Sequence, residues 1–183
     1  MCTVVPQYPN LVVLQTLSKA FGLAGIRLGI AFASPEVANL LNCMKAPYNI
    51  SSPASALAIR ALSPEGLAVM EHNVNDILEQ RDVMINWLEQ ARKTRRPGKP
   101  GIGRIIGGLD ANFLLVQIVN GEGTPDNVVA EGLYKTLAET KGVVVRFRGN
   151  EPGCTGSLRI TIGTFNEIQT LIKHLQEWSE TSE

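Results

Sequence analysis

Short apolar runs separated by turn signals occupy the first third of the chain. Residues 11–17 form a run rich in leucine and valine after Tyr8-Pro9-Asn10, and residues 28–33 form a second run that ends at Ser34. Continuous apolar runs of this length are typical of strands buried on both faces, as in a parallel sheet. The pattern predicts two strands of a parallel α/β layer.

Serine-proline pairs predict three helix starts, at Ser34, Ser52 and Ser63. A serine side chain caps a helix, and proline fits the first helical position. After Ser63, apolar residues recur at spacings near three and four, which predicts one long amphipathic helix reaching about Arg92. The residues that form this pattern are Leu67, Met70, Val74, Ile77, Met84 and Leu88.

The pattern of apolar and polar residues changes after the long helix. Strands are predicted at residues 112–118, 143–147 and 157–162, and helices at 125–140 and 166–178, because apolar runs alternate there with amphipathic segments. This order is typical of a compact α+β domain. The domain boundary is therefore expected within the long helix.

Composition and charge limit the classes of function. The chain has 183 residues with 17 basic and 17 acidic side chains, so it lacks the basic excess expected of a protein that binds nucleic acid or a membrane surface. Its three cysteines are far apart, which predicts reduced thiols in a cytosolic protein. The first ten residues lack the features of a signal peptide, and the most apolar later stretch, 23–33, is too short to span a bilayer. We expect a chain that stays in water.

Three features suggest chemistry but are better explained otherwise. The GIGRIIG segment at 101–107 has its third glycine one place late for a dinucleotide loop and does not follow a strand. His72 and His174 lie on predicted helices without a companion at metal-ligand spacing, so no metal site is expected. The basic run RKTRRPGKPG at 92–101 has no interleaved aromatic residues, which favours a solvated loop over a nucleic-acid site.

One lysine and one arginine stand in an otherwise apolar, glycine-rich stretch, TLSKAFGLAGIRLG, at residues 16–29. A lysine amine attacks carbonyl groups at neutral pH when its pKa is lowered, which desolvation and a nearby cation both achieve. Lys19, among Leu17, Phe21 and Leu23 and eight residues before Arg27, suits both conditions.

The other polar residues of this stretch suit phosphate binding. Hydroxyl groups at Thr16 and Ser18 are available to phosphate oxygens, and an arginine offers the planar fork that binds them. Gly22, Gly25 and Gly29 allow the backbone to bend and approach a ligand. The alternative is an ordinary surface lysine in a loop between two strands.

The stretch resembles the cofactor-lysine segment of fold-type I pyridoxal-phosphate enzymes, most specifically that of the histidinol-phosphate aminotransferases. The segments NISSPASALAIRAL, ANFLLV, VVVRF and GSLRITIG are similar to the same family, so the resemblance extends over nearly the whole chain. It implies that Lys19 is the catalytic lysine that binds pyridoxal 5'-phosphate. It also implies that Ser18 and Arg27 hold the cofactor phosphate, with Thr16 a weaker candidate for the same role.

The resemblance implies a role for two further arginines and a division into domains. The family binds the anionic end of its substrates with two arginines of the small domain, and Arg146 and Arg159 match those positions. Each interrupts an apolar strand, where a cation is costly unless an anion meets it, although each could instead point outward from an edge strand. Residues 1–75 would be a partial large-domain α/β layer, and 76–183 the small carboxyl-terminal α+β domain.

The implied activity is transamination between L-histidinol phosphate and 2-oxoglutarate in histidine biosynthesis, by a cytoplasmic enzyme that is a homodimer when complete. Another class I/II aminotransferase or a related pyridoxal-phosphate decarboxylase is an alternative. So is a non-catalytic remnant that serves as a folding or dimerisation module.

The family's preceding half carries a phosphate-binding turn and N-P-N-N-P-T-G-like and D-E-A-Y-like segments, none of which is present in this sequence. We therefore expect a carboxyl-terminal half that is inactive alone.

Overall fold

The computed structural model describes residues 2–181, and the chain divides into two compact units, Met1–Val74 and Asn75–Glu183. The division falls within the longest helix. Among the described residues, no helix combines the length and apolar character needed to cross a bilayer.

The first unit contains a two-stranded sheet. Strand β1, Val13–Thr16, pairs antiparallel with β2, Gly29–Phe32, so that Thr16 lies opposite Gly29. Leu14 is 77% exposed, and the other residues of both strands are exposed or half-buried. The prediction of two parallel strands buried on both faces is wrong, because a loop with only a short 3-10 helix reverses the chain between them.

Helices follow the sheet in the first unit and begin close to the predicted positions. Helix α1, Pro35–Met44, is capped by the Ser34 hydroxyl, which accepts a hydrogen bond from the Val37 amide. Helix α2, Ser52–Ala61, begins one residue before the predicted position, because its cap is Ser51 rather than Ser52.

The long amphipathic helix predicted after Ser63 is confirmed. Helix α3, Pro64–Lys93, begins where the Ser63 hydroxyl accepts a hydrogen bond from the Gly66 amide. It ends one residue beyond the predicted Arg92, just before the proline- and glycine-rich run.

The second unit is built on a four-stranded antiparallel sheet. Its strands are β3 (Gly101–Ile106), β4 (Phe113–Val119), β5 (Arg146–Phe147) and β6 (Ser157–Thr161), in the order β3-β4-β6-β5. The predicted strand at 143–147 is thus reduced to its last two residues. The predicted strand at 112–118 is shifted by one residue from β4, and the predicted strand at 157–162 ends one residue beyond β6.

Helices and one face of this sheet enclose the core of the second unit. Helices α4, Asn127–Thr140, and α5, Phe165–Thr181, join the later part of α3 there. The largest fully buried side chains are Met84, Leu88, Leu114, Ile118, Leu133, Leu137, Leu158, Ile168 and Leu175. Since strand side chains alternate between faces, Leu115 and Arg159 lie on the face opposite this core.

Strand β3 was not predicted, because its GIGRII sequence is rich in glycine. A β carbon at Gly101 would lie 2.9 Å from the Arg95 side chain, and one at Gly103 would lie 2.9 Å from Val119. The glycines therefore serve close packing within a strand, and the register shifts between Ile102 and Ile105. The segment does not form the strand-to-helix turn that a dinucleotide loop requires.

The basic run after α3 is only partly the solvated loop that was predicted. Arg95 is half-buried, and one of its terminal nitrogens, Nη1, donates to the carbonyl oxygens of Lys99, Asn120 and Gly121 at 2.9, 3.5 and 3.2 Å. This arginine is a structural link between two loops.

Candidate active site

The loop between β1 and β2 carries Lys19. Leu17, 3% exposed, anchors the loop at its start, and its carbonyl accepts a hydrogen bond from the Leu23 amide at 3.0 Å. The Gly22 amide donates to the Lys19 carbonyl at 2.9 Å, and Gly22 has a φ of +66°, which glycine adopts without steric cost. The loop folds back on itself and leaves Lys19 exposed.

Two hydroxyl groups lie together at the start of this loop. The oxygens Thr16 Oγ1 and Ser18 Oγ are 2.7 Å apart, and the Ser18 amide donates to Thr16 Oγ1 at 3.1 Å. A further contact of 3.4 Å joins Thr16 Oγ1 to the carbonyl of Leu28, at the other end of the loop. The pair offers adjacent hydroxyl donors on a backbone that is fixed at both ends.

Arg27 has an unusual backbone conformation. Its φ and ψ are 54° and 39°, in the left-handed region, which costs a non-glycine residue about 1–2 kcal/mol. Nη1 donates to the Ala24 carbonyl at 3.1 Å, and the side chain is otherwise exposed. Strained residues of this kind concentrate at ligand-binding sites, so the conformation favours a functional role for Arg27.

One expectation about the lysine loop needs correction. Lys19 is exposed, so Leu17, Phe21 and Leu23 do not form the predicted apolar environment around its amine. Within residues 2–181 the amine has no hydrogen bond or ion pair. Of the three glycines expected to bend the backbone, only Gly22 has a positive φ.

Two arginines lie side by side in the second unit. Arg146, on the edge strand β5, is opposite Arg159, on the inner strand β6. Like charges directly opposite in an antiparallel pair destabilise it. An anion bound between the two guanidinium groups would remove that repulsion.

The surroundings of Arg159 are only partly satisfied. Its guanidinium carbon lies 5.3 Å from the centre of the Phe113 ring, which is a cation–π arrangement. Its Nε is buried without a hydrogen-bond partner in the described structure. Arg159 is half-buried, whereas Arg146 is exposed, so the outward-facing alternative describes Arg146 better than Arg159.

Phe113 is the site neighbour that the sequence analysis missed. It contributes the ring beneath Arg159 because β4 and β6 are adjacent in the sheet, with Phe113 opposite Thr161. In the sequence, Phe113 lies two residues before Leu115 and therefore on the same face of β4, but the strand register was needed to place it beside Arg159. The lysine loop belongs to the first unit and the arginine pair to the second.

Comparison with protein families gives an assignment. The model of the family described as "Aminotransferase class I and II" matches residues 2–175. The chain belongs to this family. It is 52% identical over 176 residues to the histidinol-phosphate aminotransferase of Candida maltosa, and 51% identical over 173 residues to that of Saccharomyces cerevisiae.

The aminotransferase chain spans less than half the length of these relatives. The two matches cover 96% and 94% of this chain, but only 43% and 42% of the relatives. The chain is thus a partial counterpart of the proteins that it resembles.

Solved structures with the same fold include several named aminotransferases. The histidinol-phosphate aminotransferase from Clostridium acetobutylicum matches 97% of this chain and 48% of its own, with a TM-score of 0.78 and 22% identity. The histidinol-phosphate aminotransferase from Sinorhizobium meliloti was solved in complex with pyridoxal-5'-phosphate. It matches 94% of this chain and 42% of its own, with a TM-score of 0.73 and 21% identity. A decarboxylase from Sulfurospirillum multivorans has a TM-score of 0.78 at 21% identity, with 100% of this chain and 43% of its own covered. The predicted α/β fold class is confirmed, except that the strands of its first sheet are antiparallel rather than parallel.

Proposed function

We propose that this chain is the part of a pyridoxal-phosphate-dependent histidinol-phosphate aminotransferase that carries the cofactor lysine and the substrate arginines. The observation that carries the proposal is the loop from Thr16 to Arg27, where two adjacent hydroxyls, a strained arginine and an amine without a partner among residues 2–181 occur together. The relatives above 50% identity, both named histidinol-phosphate aminotransferase, support this substrate over others.

The residues of the loop fit the phosphate and aldehyde ends of the cofactor. The hydroxyls of Thr16 and Ser18 and the guanidinium of Arg27 are donors suited to a phosphate. The amine of Lys19 is exposed and has no competing partner within the described residues. No acidic residue occurs before Lys19, so a carboxylate for the pyridine nitrogen must come from another part of the enzyme.

The proposed roles follow from the chemistry of these groups. When bound, the cofactor supplies an electron sink for the substrate carbon. Lys19 Nζ would hold the aldehyde end of the cofactor, and its amine would move a proton at the substrate carbon. Ser18 and Arg27 keep the phosphate end fixed, with Thr16 supporting Ser18.

The arginine pair is proposed to bind the anionic group of each substrate. Arg159 has a buried donor without a partner, and Arg146 lies opposite, so both face the same anion. L-Histidinol phosphate offers a phosphate, and glutamate and 2-oxoglutarate offer carboxylates. One pocket would thereby serve both halves of the reaction.

The complete enzyme is proposed to be a cytoplasmic homodimer, with residues 1–75 part of its large cofactor-binding domain and 76–183 its small domain. The charge balance and absence of a basic excess support small-molecule substrates rather than nucleic acid.

A chimera tests the proposal in the context of a whole enzyme. This chain would replace the matching 176-residue stretch of the Candida maltosa relative. We expect pyridoxal phosphate binding, turnover of L-histidinol phosphate with 2-oxoglutarate, and a pyridoxyl label on Lys19 after borohydride reduction. Lys19→Arg should abolish turnover and labelling, whereas Lys45→Arg, another exposed lysine of the first unit, should change neither.

The outcomes separate the alternatives. Release of carbon dioxide from an amino acid, with no transfer of the amino group, would indicate the decarboxylase. A folded chimera that binds no cofactor would indicate the non-catalytic remnant. A label on a lysine other than Lys19 would contradict the site assignment.

A further inference from the structure

The basic run that begins in the last turn of α3 has no role in the site described above. Five of the eight residues from 92 to 99 are lysine or arginine. Its location in the fold shows which of these charges serve the structure and which remain available.

Two of the five cations are engaged. Arg92 forms an ion pair with Glu89 at 2.7 Å on the exposed surface of α3. Arg95 donates to the three carbonyl groups that join its loop to the turn after β4. Neither is available to bind a ligand strongly.

Arg95 and the surrounding glycines hold this loop in one arrangement. A β carbon at Gly123 would lie 3.0 Å from Arg95 Nη2, and one at Gly121 would lie 2.6 Å from the Gly98 carbonyl oxygen. The two loops therefore approach each other at distances that only glycine permits. The backbone of Lys99, whose carbonyl binds Arg95, is fixed by the same contacts.

Two other cations line a cavity of about 500 Å³ in the second unit. Arg96 and Lys99 border it and form no ion pair among the described residues. Trp87 and Pro100, both half-buried, contribute apolar surface to the lining, and Glu180 is its one acidic residue within the described part of the chain. The volume falls in the range of small-molecule sites.

The free cations are not needed to stabilise the end of α3. The Thr94 hydroxyl donates to the Gln90 carbonyl at 2.9 Å, and Arg95 supports the loop that follows. The cavity is also separate from the arginine pair, because Ile102 lies opposite the buried Ile118 whereas Arg159 is on the other face of the sheet.

We propose that this cavity binds a small organic anion in which an aromatic ring carries a phosphate or carboxylate group. Arg96 and Lys99 bind the anionic group through charge-assisted hydrogen bonds. Trp87 and Pro100 contact the ring, which accounts for apolar surface beside cations that form no ion pair among the described residues. Because the loop is already fixed, binding through Lys99 loses little backbone conformational entropy.

Titration of the 183-residue chain with phenyl phosphate tests this site. The readout is the indole N–H resonance of Trp87, assigned by its loss in Trp87→Phe, so binding at the lysine loop or the arginine pair is not mistaken for it. Phenyl phosphate should shift the resonance with at least tenfold higher affinity than inorganic phosphate or benzyl alcohol. Inorganic phosphate lacks the aromatic ring, and benzyl alcohol lacks the anionic group.

Variants within the basic run provide a matched comparison. Arg96→Gln and Lys99→Gln should each weaken phenyl phosphate binding about tenfold. Lys93→Gln, an exposed cation of the same run that does not line the cavity, should change it less than twofold. Unfolding midpoints of all variants should match the parent, which excludes misfolding as the cause.

Three results would overturn the proposal. The first is a Trp87 resonance that phenyl phosphate leaves unmoved. The second is equal affinity for inorganic phosphate, which would leave no role for the apolar surface. The third is equal weakening by Lys93→Gln, which would reduce the effect to general surface charge.

Discussion

The two units of this chain use apolar residues in opposite ways. Within residues 2–181, buried apolar side chains of the first unit are limited to Val5, Leu17, Ala54 and Ala58, whereas the second unit buries a cluster of seventeen. Among the described residues, fourteen large apolar side chains of the first unit are exposed, compared with five in the second. The second unit has the core of an independent domain, and the first does not.

Charge distribution shows the same contrast. Seven of the 34 charged residues occur in the first 74 positions, although these make up two fifths of the chain. A surface that combines exposed apolar side chains with few charges resembles the centre of a protein interface. The chain that contains this unit covers only 43% of its Candida maltosa relative.

The largest expected effect is on the core of the second unit. Leu133→Ala should lower the free energy of unfolding by about 2–5 kcal/mol, because Leu133 is 1% exposed and its loss leaves a cavity. The matched change Leu40→Ala, at a residue of the first unit that is 66% exposed, should stay within about 0.5 kcal/mol. Urea unfolding followed by circular dichroism measures both, and equal losses would contradict the contrast between the units.

The next effect is on catalysis. In the chimera, Arg159→Ala should lower kcat/KM about a hundredfold or more for both amino donor and acceptor, because it removes a charge-assisted contact to a desolvated anion. Arg104→Ala, an exposed arginine on β3, is the control and should leave kcat/KM unchanged. A loss for only one substrate would contradict the shared pocket.

Arg146→Ala should impair the phosphorylated substrate more than glutamate. Arg146 is the more exposed of the two arginines, so its contribution depends on the larger charge of a phosphate. Separate kcat/KM values for the two substrates test this, and an equal loss for both would assign the two arginines the same role.

Local signals predicted the helices well. Serine caps predicted the starts of α1 and α3, and apolar periodicity predicted the end of α3 to within a residue, because both signals depend on residues that are close in sequence. Strands β4 and β6 were also predicted from local sequence, since β4 is a nearly continuous apolar run and apolar residues alternate with polar ones along β6.

Features that depend on distant residues were not predictable. The antiparallel pairing of β1 with β2, the glycine-rich β3 and the opposition of Arg146 to Arg159 all require strand register. The residue types around Lys19 identified a candidate site, but the exposure of its amine depends on how the loop folds, which the residue types do not specify.

A smaller effect is expected on association. The 183-residue chain alone should show no measurable transamination and should self-associate through the apolar surface of its first unit. The triple change Leu14→Lys, Met44→Lys and Ile59→Lys should reduce association, because these side chains are 77%, 83% and 71% exposed.

The second unit supplies the control. Val128→Lys with Val144→Lys, at side chains 81% and 66% exposed, should leave association unchanged. Sedimentation velocity measures both sets of variants. Association that depends equally on the second unit would contradict the contrast between the surfaces.

The smallest effect concerns two helix starts, one in each unit. Hydrogen bonds from the Thr164 amide and hydroxyl lower the pKa of Glu167 at the start of α5. A backbone hydrogen bond and the Ser63 hydroxyl lower the pKa of Glu65 at the start of α3. A carboxyl group with a lowered folded pKa stabilises the fold above its unfolded pKa, near 4.5, and this contribution is lost as pH falls below that value.

Glu167→Gln should therefore lower the midpoint of thermal unfolding slightly at pH 7, and this difference from the parent should vanish toward about pH 3. Glu65→Gln should leave the main transition unchanged at both pH values, because Glu65 belongs to the unit without a large core. Calorimetry at both pH values makes the comparison. An equal shift from Glu65→Gln would mean that α3 joins the two units into one cooperative transition, despite the difference in their cores.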